Sequence, residues 1–369
     1  MKVAYIVCEN YLTPDGNGMS VGGIQTYLTN LIPVLQGEGY EIHLYQKGSI
    51  DFEKRENNVL ISGIAHDGTK KEYIKRLKGI VLNKMDSSED LLVFGCDTLI
   101  FESRDVKSIA IQHGITWDIP VGKATTRFMF FISYLIKAKL AWQTLMRVSK
   151  VKRLVCVDYN FVNWYRAVAP RPLIKFSVIP NFTSIPSEII QKPKEKVNIM
   201  FARRFWHYRG TRLFASAIEP LLKERDDLSV VIAGEGPDES ILRDKLEKYP
   251  QVSFIRYSSD ESLAIHADKH IAVVPTLGSE GTSLSLLEAM ASSCAVVCTN
   301  IGGMTNIVLD HYNGLIVNPD EVELRDAIIE LVNNDDLRKQ LSRNAFITAS
   351  VSFSLAKWKE SWEKVVRKM

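Results

Sequence analysis

Residues 279–291 read SEGTSLSLLEAMA, and residues 270–275 just ahead of them read HIAVVP. A β-branched run closed by proline predicts a short buried strand. A loop with Gly278 and Gly281 follows, then Thr282 and Ser283, then a helical run over Leu284–Ala291. Thr282 or Ser283 is the expected N-cap. The free N–H groups and positive dipole end of such a helix favour an anion. Helical side chains lean toward the N-terminus, so Glu288 is expected to point back to that end, with Glu280 on the loop just outside it. Two carboxylates beside an anion-favouring helix start suit a ligand with phosphate in the middle and hydroxyls on both sides. A nucleotide sugar has that layout. Taken alone, two such glutamates are ordinarily solvated charges; the surrounding pattern reverses that reading.

Upstream, a strand at Val197–Ala202 leads into RRFWHYRG at 203–210 and a helix over Thr211–Glu224. Arg204 and Arg209 are cations five apart with Gly210 immediately after, and Arg203 competes with Arg204 if the register slips by one. The turn GEGP at 234–237 reads as turn chemistry. A strand at 252–257 ends on Arg256 and Tyr257. Downstream come a strand at Ala295–Thr299, a glycine turn at 301–304, a strand at 313–317, and helices at Glu321–Asn333 and 336–350. The segment 354–369 carries Leu355, Trp358, Trp362, Val365 and Val366 on one helical face.

The first half opens with a strand at 2–8, a polar loop at 9–22, and a helix in which Ile24, Tyr27, Leu28, Leu31 and Ile32 recur at helical spacing. Gly22 and Gly23 at the turn let backbone approach a ligand closely. Their order is not GxGxxG, which counts against NAD or FAD. Strands follow at 41–46, 91–96 and 107–113, with a charged stretch at 51–89 that holds a basic helical piece around Lys70–Lys84. His113 and Gly114 close the strand at 107–113, and open α/β sheets bind ligands at the carboxyl ends of strands. A further strand lies at 154–158, and a helix begins at 160–167.

Glu280-x7-Glu288 followed by Ala-Met-Ala, after a strand ending in proline, resembles the donor-site signature of retaining glycosyltransferases of family 4. The resemblance implies an α/β GT-B fold: two Rossmann-like domains facing across a cleft, with a C-terminal helix crossing back to the first. VIPNF at 178–182 is similar to that family's interdomain crossing, and the lysine-rich stretch 184–196 supports a boundary there. The expected partition is 1–180 for the acceptor, 181–352 for the nucleotide-sugar donor, and 353–369 for the returning helix. The resemblance assigns Gly22, Gly23, Arg204, Arg209, Thr282, Ser283, Leu284 and Ser285 to the donor diphosphate. It gives Glu288 the ribose, Glu280 and His113 the transferred sugar, and Arg256 and Tyr257 the neighbourhood of the base. The chain departs from the family by Arg209 where lysine is commoner, and by Ser293 and Ala295 where glycine and proline are usual. Arginine keeps the charge and adds bidentate bonding. The other two changes shape a turn.

The bulk numbers fit this reading. A chain of 369 residues, 46% hydrophobic and 24% charged, can bury two α/β cores. Five scattered cysteines without a CxxC pair, and an N-terminal apolar run too short for a signal peptide, lead to the expectation of a cytoplasmic protein. The net charge is +3, yet between Ile119 and Val157 eight basic residues meet no acidic one. In 121–153, Phe128, Phe130, Phe131, Ile132, Tyr134, Leu135 and Ile136 cluster among Lys123, Arg127, Lys137, Lys139, Arg147, Lys150, Lys152 and Arg153. This is either a packed helix pair with a solvated basic face or a surface that docks on the inner membrane leaflet. Docking would gain roughly 1 kcal/mol per basic residue, and the lack of acid favours it. No nucleic-acid motif accompanies the cluster.

The expected reaction is retaining transfer of a hexose from a nucleotide diphosphate sugar to a glycan or lipid-linked acceptor, as in bacterial surface polysaccharide or lipopolysaccharide assembly. No DxD-type element lies near the site, so no metal or other cofactor is expected. A sugar-nucleotide epimerase of the same fold and a catalytically silent nucleotide-sugar-binding partner are the competing readings.

Overall fold

The computed structural model describes residues 2–20, 22–120, 127–169, 174–193 and 195–369. Lys123 and the rest of 121–126 lie outside the described residues. The chain divides into two compact units. Met1–His113, Thr125–Pro180 and Trp358–Met369 form one; Gly114–Ala124 and Asn181–Lys357 form the other. Each is a Rossmann-like sheet wrapped by helices.

The first unit holds β1 (Lys2–Val7), β2 (Tyr40–Gly48), β3 (Phe52–Glu56), β4 (Val59–Ala65), β5 (Leu91–Phe94), β6 (Lys107–Gln112), β7 (Arg153–Cys156) and β8 (Lys175–Val178). Its helices are α1 (Gly23–Gly37), α2 (Lys70–Lys84), α3 (Arg127–Val148) and α4 (Tyr159–Val168). The sheet order is β3-β4-β2-β1-β5-β6-β7-β8. All pairs are parallel except β3 with β4. That hairpin sits in the stretch read from sequence as polar and charged. β3 exposes Glu53, Lys54 and Arg55 and lies at the sheet edge, so it carries little apolar alternation. Its turn residues Asn57 and Asn58 both take positive φ, as a tight two-residue hairpin turn requires.

The second unit holds β9 (Val197–Ala202), β10 (Leu228–Ala233), β11 (Val252–Ile255), β12 (Ile271–Val274), β13 (Ala295–Thr299) and β14 (Leu315–Val317). All pair in parallel in the order β11-β10-β9-β12-β13-β14. The helices are α5 (Thr211–Glu224), α6 (Glu239–Leu246), α7 (Ser262–His266), α8 (Leu284–Ala291), α9 (Glu321–Asn333), α10 (Asp335–Ser352) and α11 (Leu355–Val366). β12 and β13 are buried at every position, as strands covered by helices on both faces must be. One face packs Phe201, Phe205 and Phe214 with α5 and α9, and the other packs Leu286, Leu287 and Met290 of α8 with α10.

The last helix begins in the second unit, where Thr183 and Phe353 pair through backbone, and its residues from Trp358 onward belong to the first. There Trp362 Nε1 donates to Tyr27 Oη at 2.9 Å, and Arg367 holds Glu38. All five cysteines are buried and free. Among the described residues no helix is long and apolar enough to cross a membrane.

Candidate functional site

In the second sheet the chain runs from β9 outward through β10 and β11, then returns to the opposite side of β9 as β12. The connections leave β9 and β12 in opposite directions, which opens a crevice at their carboxyl ends. Arg203 is the first residue past β9, and Thr276 and Glu280 follow β12. Arg203 is buried. Its Nη1 donates to Ser283 Oγ at 2.8 Å and Ser285 Oγ at 2.6 Å, and its Nη2 donates to Thr276 Oγ1 at 2.9 Å and to Glu280 Oε2. Arg209 Nη1 donates to the same Glu280 oxygen, and Thr276 Oγ1 does so at 3.0 Å. Burial alone would raise the Glu280 carboxyl; the charges of Arg203 and Arg209 overcome it and hold the group below the usual carboxylate range. Burial pulls the Arg203 guanidinium down against the opposing pull of Glu280. Removing one partner of such a buried set strands the other charge, at about 3–5 kcal/mol.

Backbone contacts fix the loop that bears Glu280. Gly302 has φ +59°, and a Cβ there would lie 2.1 Å from the Glu280 carbonyl oxygen. Gly303 N–H donates to that carbonyl at 3.1 Å. Gly210, at φ +80°, has room for no side chain against the Pro275 carbonyl, 1.8 Å from a built Cβ. Ser279 takes φ +55°, and its N–H is held by Asp118 Oδ1 at 2.7 Å. A non-glycine residue in this region, beside a buried carboxylate, is strain of the kind found at functional sites.

Ser283 is the N-cap residue of α8, yet its hydroxyl does not cap. It accepts from Arg203 instead. The N-cap side chain therefore does not close the first turn, whose positive dipole end favours an anion beside two arginines. Thr282 and Ser283 are buried, and Leu284 and Ser285 are half-buried. Glu288 Oε2 accepts from Ser262 Oγ at 2.6 Å, and burial raises its carboxyl against the opposing pulls of Ser262 and Arg203. Tyr257 lies close enough to Glu288 that the carboxylate charge, after burial, helps push its phenol up to about 12. The structure thus brings Arg203, Arg209, Thr276, Glu280, Ser283, Ser285, Glu288 and Tyr257 together. Arg204, the arginine expected from sequence, is exposed and stands outside the set, whereas Arg203 is the arginine at its centre. Arg256 is exposed and faces Glu235 and Glu239 at 3.5 and 3.4 Å.

Sequence reasoning missed Thr276, Ser262 and Asp118. Thr276 directly follows the proline that closes β12, a position that could have been read. Asp118 and Ser262 are remote in sequence and gave no signal. The departure at Ser293 has a physical reason: α8 ends in a Schellman turn, with Ser293 N–H bonded to Met290 O and Cys294 N–H to Ala289 O, both at 3.0 Å. Ser293 takes φ +57° at the position glycine usually fills.

The first sheet has its own reversal between β1 and β5. Gly22 precedes α1, and Gly23 is its first residue, with no side-chain cap. His113 follows β6; its Nε2 lies 2.9 Å from Gly95 O, the residue after β5. Tyr27 packs edge-on against the ring at 5.1 Å between centroids. Burial drives the His113 pKa down to about 4, so the ring is neutral at pH 7. A nitrogen facing a carbonyl carries the proton, which makes Nδ1 the acceptor. Among the described residues no three His, Cys, Asp or Glu side chains gather as metal ligands would.

Residues 196–334 match the family model of glycosyl transferases group 1. An uncharacterized glycosyltransferase of Methanocaldococcus jannaschii is 25% identical over 374 positions, covering 94% of this chain and 92% of that protein. A phosphatidyl-myo-inositol mannosyltransferase of Mycobacterium leprae is 26% identical over 172 positions, 44% of this chain and 46% of that one. In structure the chain resembles a sucrose-phosphate synthase from Thermosynechococcus elongatus with a TM-score of 0.77 at 13% identity, covering 100% of this chain and 99% of that one. That likeness is one of fold: two Rossmann-like domains of the GT-B type.

Proposed function

We propose that this glycosyltransferase of GT-B type moves a hexose from a nucleotide diphosphate sugar to an acceptor hydroxyl with the anomeric configuration retained. The observation that carries the reading is the convergence of Arg203, Arg209 and the uncapped start of α8 on Glu280. Arg203 already spends its donors on four acceptors, so its part is to hold the loops in place. Arg209 engages Glu280 through Nη1 alone, which leaves other N–H groups for the diphosphate. With the Thr282–Ser285 backbone amides it stabilises charge on the departing phosphate, where preorganised donors act most strongly.

All three donors to Glu280 meet at Oε2. In this reading Oε1 accepts hydroxyls of the transferred sugar. Glu288 accepts the ribose hydroxyls, with Tyr257 on the base side. Gly22 and Gly23 approach the diphosphate, and the neutral His113 accepts a sugar hydroxyl at Nδ1; these roles rest on the family resemblance. A carboxylate so saturated is a poor nucleophile, which supports front-side departure and attack over double displacement. The similarity of 44% of this chain to a phosphatidyl-myo-inositol mannosyltransferase supports a lipid-linked acceptor, and we place such an acceptor in surface polysaccharide or lipopolysaccharide assembly by analogy alone. We expect turnover without a metal ion; strict loss of activity with a chelator would refute that part.

The test is to follow nucleotide sugar and acceptor by proton NMR. A glycosylated product with the donor's anomeric coupling supports the proposal. Free isomerised sugar nucleotide would point to an epimerase, and donor binding without turnover to a silent partner.

A further inference from the structure

Among the described residues of the first unit, α3 leaves a long apolar surface uncovered. Thr144 and Val148 are buried, and Lys137, Ala141 and Leu145 on the same side are half-buried, so this stripe seats the helix on the unit. Arg147 adds an ion pair to Asp97 at 3.5 Å. Phe130 and Tyr134 fall on the same side by the 3.6-residue period, yet they are 71% and 65% exposed. Phe128, Phe131, Leu135 and Ile136, on other sides, are at least half exposed as well. The first turns of α3 therefore project beyond the unit with apolar side chains all round. From Phe128 to Ile136 there is no charge. Lys137 and Lys139 follow one turn further in, then Arg147, Lys150 and Lys152. About 13 Å of helix is thus an uncharged tip behind which a cationic collar begins.

We propose that α3 is a membrane-docking element that inserts the tip 128–136 shallowly into a leaflet of anionic lipid while the collar meets the headgroups. The charge pattern selects this occupant over a second copy of the chain, because pairing two tips would bring Lys137 and Lys139 of both copies together. It also excludes a spanning role: α3 has 22 residues, but its second half is too charged to cross a bilayer. Trp142 is 62% exposed, about 21 Å along the helix from Phe128, a depth suited to the interfacial zone. The inference deepens the reading above by giving a lipid-linked acceptor a place to be met, but the docking itself needs neither donor nor turnover.

The experiment uses the full chain with vesicles of phosphatidylcholine alone or of phosphatidylcholine with phosphatidylglycerol, read by co-sedimentation and by Trp142 fluorescence. Binding should require the anionic lipid, weaken with salt, and blue-shift the tryptophan emission. Lys139→Ala should weaken it about fivefold, the equivalent of roughly 1 kcal/mol. Phe128→Ser with Phe131→Ser should abolish the blue shift. These residues are exposed, so thermal stability and nucleotide-sugar binding should be unchanged in both variants. Failure of docking with donor binding intact overturns this inference alone. Equal binding to neutral vesicles, no binding to either, or a concentration-dependent dimer abolished by the phenylalanine substitutions would each overturn it.

Discussion

The two sheets reverse direction in the same way and furnish the resulting crevices differently. At the β9/β12 reversal the second unit assembles fixed charge: two arginines, a carboxylate held low by them, and a helix start whose cap residue is diverted to Arg203. At the β1/β5 reversal the first unit presents Gly22 and Gly23 at a helix start and a histidine that burial keeps neutral. Under the proposed function the same topology serves two chemistries. Where a dianion must be held, charge is preorganised inside the protein, so little rearrangement is needed when the ligand arrives. Where hydroxyls are met, an uncharged acceptor suffices, and it costs less to bury.

Breaking the charged side should have the largest effects. Glu280→Ala leaves the buried Arg203 and the half-buried Arg209 without a counter-charge. It should lower unfolding free energy by about 3–5 kcal/mol and transfer by a factor on the order of 10²–10³, measured by denaturant melts and initial rates. If stability were unchanged, the ion pairs would not be the framework described. Arg209→Ala should weaken donor binding by about 1.5–3 kcal/mol, the worth of a hydrogen bond to a charged group, whereas Arg204→Ala should change it by little. An Arg204 effect equal to that of Arg209 would restore the register expected from sequence. Glu288→Gln should raise the KM for donor about tenfold with kcat little changed, as loss of a hydrogen bond made equally in ground and transition states does.

The neutral side is sharpened by pH. The His113 and His266 pKa values are both pushed down to about 4 by burial, from 6.5 in the unfolded chain. Below pH 6.5 the unfolded state takes up protons that the folded state refuses, so stability is full above that value and falls toward pH 4. Melting temperature should drop over this window, and less steeply in His113→Gln. Glu280 runs in the same direction but lower, its contribution being lost as pH falls through its depressed pKa. Tyr27→Phe should touch stability alone: it strands the buried Trp362 Nε1 and should cost about 1–3 kcal/mol with donor binding intact.

The charged crevice was legible because its parts lie close in sequence. β12, the loop and α8 span residues 271–291, and the strand, glycines, hydroxyls and glutamates each carry their own local signal. What escaped was whatever depends on a side-chain direction at a strand end. Choosing Arg203 over Arg204 means knowing which way the first residue past Ala202 points, and a spacing of five or six cannot tell. Asp118 reaches Ser279 across 161 positions of chain, a contact that tertiary packing alone creates. The edge strand β3 was hidden by its own charge, whereas its partner β4, VLISGIA, carries an apolar signal that a reading of 51–89 as one charged stretch passes over. The α3 cluster was visible as composition, but whether it packed or projected depended on neighbours the sequence does not name.

The most direct test of the diphosphate site is a thermal-shift titration of the wild type and of Arg209→Ala with UDP-, GDP-, TDP- and ADP-sugars. One nucleotide sugar at a hundred times its dissociation constant should stabilise the wild type by about 2.7 kcal/mol, with the arginine variant needing at least tenfold more ligand. Stabilisation that is the same in both proteins, or none with any nucleotide sugar, would contradict the account.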